Sequence, residues 1–125
     1  MAASTLTYST VLQQFSKDVS VIVTDNTSLW LATPSGGIHK FTISGGVYGG
    51  LVGSLSERIT AMVITSTHLL VATDKGKVYS YTLSTMAYEG LALDLVSVGI
   101  RAMTVVTSTL FIVGTDGKTY EYTIS

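Results

Sequence analysis

A catalytic centre needs a nucleophile, a base and an orienting group that converge in space. This chain offers only His39 and His68 as histidine bases. His39 stands where two later copies of a repeated phrase carry Tyr79 and Tyr120, so its position favours a ring that packs. His68 lies just before an apolar run, beside a turn, and is expected to be solvated. The absence of cysteine removes disulfides, thiolate metal sites and cysteine nucleophiles. The acids in "DNTS", "TDKG" and "TDG" are isolated, whereas a metal centre needs them clustered. The glycines of "SGGVYGG" are not followed by the helix and lysine of a phosphate loop, and read as bends in a strand. No catalytic residue, metal or cofactor is expected, and the chain reads as a non-enzyme.

The charges that do break the apolar pattern are Lys17, Asp18, Glu57, Arg58 and Arg101. They fall where one repeat passes into the next. Grouped around one mouth, they would form a mixed-charge ring suited to a small anion or a protein tail, and they are the candidate ligand-binding residues. The sole tryptophan, Trp30, has Leu70 and Phe111 as its counterparts and is expected in the core.

The elements that must position these residues are greasy. Apolar residues make up 46% of the 125 residues and charged residues 12%, with a mean hydropathy of +0.48. Soluble domains usually carry about 25% charged residues, so much of this surface is expected to meet other protein. Serine and threonine interrupt every apolar run before the roughly 18 residues that cross a bilayer. The N-terminus lacks the basic start and apolar stretch of a signal peptide. A cytoplasmic location with no membrane partner is expected. A net charge of −1 with scattered Lys and Arg argues against nucleic acid, which demands a concentrated basic face.

One phrase is written three times: "SLWLATPSGGIHKFTIS" from Ser28, "HLLVATDKGKVYSYTLS" from His68 and "TLFIVGTDGKTYEYTIS" from Thr109. The first two align without a gap, pairing Leu29 with Leu69, Gly36 with Gly76 and Phe41 with Tyr81; the third pairs Tyr122 with Tyr81. Each copy begins with a β-branched run ("VSVIVT", "ITAMVIT", "AMTVVT"), strand A, followed by a polar turn and an apolar strand B. A glycine turn then leads to strand C, which alternates with period two through His39, Phe41 and Ile43, or Tyr79, Tyr81 and Leu83. A fourth segment, "VYGGLVGSL" or "YEGLALDLVSV", supplies strand D.

Four short antiparallel strands recurring about every 40 residues are the arithmetic of β-propeller blades. The wording agrees: "SLWLATPSGGIHKF" resembles the two-component-regulator propeller repeat, and "LLVATDKGKVYSYTL" is similar to quinoprotein and WD-repeat blades. The resemblance implies an all-β propeller fold, and propellers commonly act as non-catalytic binding or scaffold modules.

Three four-stranded blades cannot close a ring, since rings have about four to eight. The third copy carries strands A to C, while residues 5–15, "TLTYSTVLQQF", precede the first strand A as a strand D would. The expectation is therefore a homodimeric six-bladed ring with exchanged strands. Residues 1–17 would complete the partner's last blade, with blades over residues 18–57, 58–100 and 101–125. The expected partners are a second copy and a small molecule, glycan or peptide at the channel mouth or loop face. A small multivalent carbohydrate-binding lectin is the alternative.

Overall fold

The β-branched and aromatic runs extend as strands because each buries alternate side chains against a neighbouring sheet. In the computed structural model the described residues are 6, 7, 9 and 18–124. The expected N-terminal strand over residues 5–15 and the candidate Lys17 lie outside them, apart from Leu6, Thr7 and Ser9. Sheet 1 consists of β1 (Val21–Thr24), β2 (Ser28–Ala32), β3 (Gly37–Thr42) and β4 (Val47–Ser54), in that order. Sheet 2 consists of β5 (Ile59–Ile64), β6 (His68–Thr73), β7 (Lys77–Thr82) and β8 (Tyr88–Asp94). Sheet 3 has β9 (Ile100–Val106), β10 (Thr109–Gly114) and β11 (Thr119–Thr123) among the described residues. Every neighbouring pair is antiparallel, so each sheet is a simple meander. No helix of the described residues is long and apolar enough to cross a membrane.

Strand A begins later in the first copy and earlier in the third than the apolar runs predict, at Val21 and at Ile100. The outer strands β4 and β8 carry the same irregularity. Their registers slip at Lys40/Phe41 and Ser80/Tyr81. Gly50 and Gly90 sit opposite, with φ of +101° and +105°, a left-handed conformation that a side chain would strain. The glycine bends expected from the sequence are these.

Sheets stack face to face in two seams. In the first, Trp30, Ala32 and Ile38 of sheet 1 meet Ile59, Met62, Leu69, Val71 and Tyr81 of sheet 2. In the second, Ala61, Val63, Leu70, Ala72 and Val78 of sheet 2 meet Ile100, Leu110 and Ile112 of sheet 3. Period two sends alternate residues of sheet 2 into opposite seams. The inner strands β1, β5 and β9 are neighbours in turn, which fixes the order of the sheets.

Candidate functional site

Glu57 and Arg58 sit in one of the loops that lead from one sheet's outer strand into the next sheet's inner strand, Asp18 precedes β1, and Arg101 is the second residue of β9. These loops are pinned to the glycine hairpins between the second and third strands: Leu55 N–H donates to Gly36 O at 2.8 Å, and Leu95 N–H to Gly76 O at 2.8 Å. A Cβ on Gly76 would lie 2.1 Å from Val98 O, so the close approach requires glycine. Loop and hairpin thus form one end of the molecule.

At that end Arg58 and Arg101 line a single hollow of about 290 Å³, together with Ser20, Thr60, Asp74 and Thr115. Both arginines are exposed, and among the described residues neither is ion-paired. Two guanidiniums against one carboxylate leave the hollow net positive, which suits an anionic group. Asp18 is exposed and does not line the hollow.

Glu57 is drawn elsewhere. Its Oε1 accepts from Thr73 Oγ1 at 2.7 Å, its Oε2 accepts from Tyr79 OH at 3.0 Å, and Lys77 Nζ lies 3.8 Å away. Thr73 is fully buried. The carboxylate is therefore committed within sheet 2 rather than placed beside Arg58. Burial, with the hydrogen bond to Glu57, pushes Tyr79 up to about 12.

At the opposite end, where the first and second strands turn, lies a larger groove of about 780 Å³ between sheets 2 and 3. His68 does not stand free in solvent there as the sequence predicts. It opens β6, its Nε2 lies 2.9 Å from Glu89 Oε1, and its Nδ1 lies 2.6 Å from Thr67 Oγ1. With Nε2–H donating to the carboxylate, a neutral ring accepts the Thr67 hydroxyl at Nδ1. Glu89 also accepts from Thr82 Oγ1 at 2.5 Å and from Ser80 Oγ at 3.3 Å. The Thr82 bond is the main reason its carboxyl is held below the usual glutamate value.

The sequence reading missed Glu89, although a signal was present. His68 is directly opposite Thr82, and β8 runs back alongside β7, so the hairpin arithmetic brings residue 89 to the end of β6. His39, by contrast, packs as expected: it is 8% exposed, and its Nδ1 lies 2.9 Å from Tyr48 OH. Trp30 is 1% exposed, in the first seam.

No protein-family model matches the chain, and no curated protein matches it. Solved structures do. The WD40 repeats of RRP9 superpose with a TM-score of 0.77 at 13% identity over 92% of this chain. The structure of U3-55K gives the same TM-score, 0.77, also at 13% identity and over 92% of this chain. This chain spans 38% of the length of each of those two chains. The computationally designed Ika4 protein superposes with a TM-score of 0.60 at 10% identity, over 92% of this chain and 96% of that one. At such identities the likeness is one of fold: the three sheets are consecutive antiparallel blades of the β-propeller kind seen in WD40 repeats.

Proposed function

We propose that the chain is a non-catalytic binding or scaffold module that works as a homodimeric six-bladed propeller and receives ligand at its loop face. One observation carries the dimer: the two outward sheet faces are further copies of the surfaces that form the seams. Ile59 and Met62, 0% and 4% exposed, cover sheet 1; their counterparts on the outward face of sheet 1, Val19 and Ile22, are 43% and 58% exposed. Ala61 and Val63, both 7% exposed, cover sheet 3; their counterparts Ala102 and Thr104 are exposed, as is Val106 at 58%. A second copy related by a two-fold axis brings each outward face onto the other twice, as a third and a sixth seam of the same design. Contiguous exposed apolar faces of this kind mark interfaces.

The outer edge of β11 supports strand exchange. Sheets 1 and 2 pair a fourth strand there, but among the described residues sheet 3 does not. Among the described residues nothing lies within 4 Å of a Cβ on Gly117, in the hairpin before β11, whereas Gly36 and Gly76 are pressed by an incoming loop. The occupant we assign is the partner's N-terminal segment. Tyr8 precedes Tyr48 by the same interval of 40 that separates Tyr48 from Tyr88. Tyr48 and Tyr88 each pack on an aromatic of strand C, Phe41 at 5.0 Å and Tyr81 at 5.4 Å between ring centroids. Tyr8 would pack likewise on the partner's last strand.

The hollow holding Arg58 and Arg101 is the ligand face, repeated once per chain and fitted to an acidic tail or small anion. Asp18 and Lys17 belong to the same loop set, and Glu57 braces it from below through Thr73. Light scattering at micromolar concentration is expected to give about twice the 13.2 kDa chain mass. Tyr8→Ala should weaken association by about 2 kcal/mol, the cost of truncating an aromatic anchor. A folded, monodisperse monomer overturns the dimer. An oligoglutamate peptide should bind the wild type in low salt and lose affinity in the Arg58→Ala/Arg101→Ala pair; equal binding by both overturns the assigned face.

A further inference from the structure

We infer that the groove between sheets 2 and 3 is a second binding site, shaped for a neutral polyhydroxylated ring such as a hexose unit of a glycan. The site does not use the arginine hollow, which lies at the other end of the sheets.

Its volume, about 780 Å³, falls in the range of small-molecule sites, roughly 300–1,000 Å³. The floor is apolar, made by Leu70, Val78, Leu93 and Leu110, while the rim carries hydroxyls, among them Ser66, Ser108 and Thr123. Among the described residues the only carboxylate and imidazole lining it are Glu89 and His68, and these face each other at 2.9 Å.

That composition selects by exclusion. With no lysine or arginine among the described residues of the wall, a phosphate or carboxylate ligand finds no fixed counter-charge there. A wholly apolar ligand would strip water from the Glu89 carboxylate and the rim hydroxyls without replacing it. A strongly cationic ligand would have to compete with His68 for Glu89. A hexose meets both requirements: one face of C–H groups for the leucine floor and the edge of Tyr122, and a fringe of hydroxyls for the rim. Glu89 is held in place by Thr82, Ser80 and His68, so its remaining lone pair is pre-oriented to accept a sugar hydroxyl.

In the other seam the hollow is smaller, about 490 Å³, and is lined by Val52, Gly53 and Tyr81 but not by Trp30. Trp30 stands where the groove has Leu70, and Lys40, whose Nζ lies 5.4 Å from the indole centroid, stands where it has Ser80. Leu70→Trp should therefore narrow the groove with a side chain the fold already accepts one repeat earlier.

The test is saturation-transfer NMR of the wild-type chain with methyl glycosides of glucose, galactose, mannose and N-acetylglucosamine at millimolar concentration. At least one should bind, and both Leu70→Trp and Glu89→Gln should weaken that binding at least tenfold while the circular dichroism spectrum is kept. Binding by none of the four, or binding unchanged in Glu89→Gln, overturns the site. Glu89→Gln decides the matter if Leu70→Trp does not fold. Because the scattering mass and the oligoglutamate binding are read separately, failure here is distinguishable from failure of the dimer or of the loop face.

Discussion

The two seams share strand registers, yet the hollow in the first is about 490 Å³ and that in the second about 780 Å³. In the first, Trp30 is buried, and at Gly53 an added Cβ would meet Ile38 and Tyr81 at 3.2 Å. In the second, the corresponding pair is Leu70 and Leu93, so bulk moves from the second strand to the fourth and the groove is left beside it. Met86, in the turn after β7, packs against the first cluster and lines the hollow there. The repeat preserves the positions that make a propeller; a few side-chain volumes decide how large a hollow a seam keeps.

Their tyrosines differ in the same spirit. Tyr79 in the first seam donates to Glu57, whereas its counterpart Tyr120 in the second donates to Asp116 in the adjacent hairpin. Val98 takes the place of Glu57 and Gly114 that of Thr73, so the second seam has no carboxylate bridging loop and strand. The Asp116 bond raises Tyr120 above its ordinary value.

The contrast can be broken most severely at Trp30. Trp30→Ala should cost about 3–5 kcal/mol, the range for emptying a buried aromatic position, and be read in urea unfolding. The matching change on the outward face of sheet 3, Phe111→Ala, should cost far less in a dissociated chain, because Phe111 is only half-buried. A smaller effect sharpens the tyrosine comparison. Glu57→Gln should cost about 1–2 kcal/mol by weakening a hydrogen bond to a charged acceptor. It should also bring Tyr79 down from about 12 toward ordinary tyrosine, as read by tyrosinate absorbance. Since the folded value is the higher one, the contribution of Tyr79 to stability is complete below the ordinary tyrosine value near 10 and is lost as pH rises through about 12. Wild-type stability should fall across that alkaline window, and that of Glu57→Gln should fall less.

Much of this fold could be read from the chain because its signals are local and repeated. Period-two alternation through His39, Phe41 and Ile43 places those residues on one face whatever lies beyond it, and three copies of the hairpin glycine mark the turns. The site was harder to read. Glu57 looked like part of a charged mouth, but the direction of its side chain is set by Thr73 and Tyr79, 16 and 22 residues away. His68 looked solvated because its partner, Glu89, arrives only when the outer strand folds back. Arg58 and Arg101 do line one hollow, although they are not equivalent positions of the repeat and Arg101 belongs to β9.

The buried indole has a practical consequence. As the chain's one tryptophan lies wholly within the first seam, with no acceptor for its N–H among the described residues, its emission reports the parting of sheets 1 and 2 and nothing else. Fluorescence and backbone dichroism followed together thus give a built-in measure of whether the blades separate one at a time or as a block.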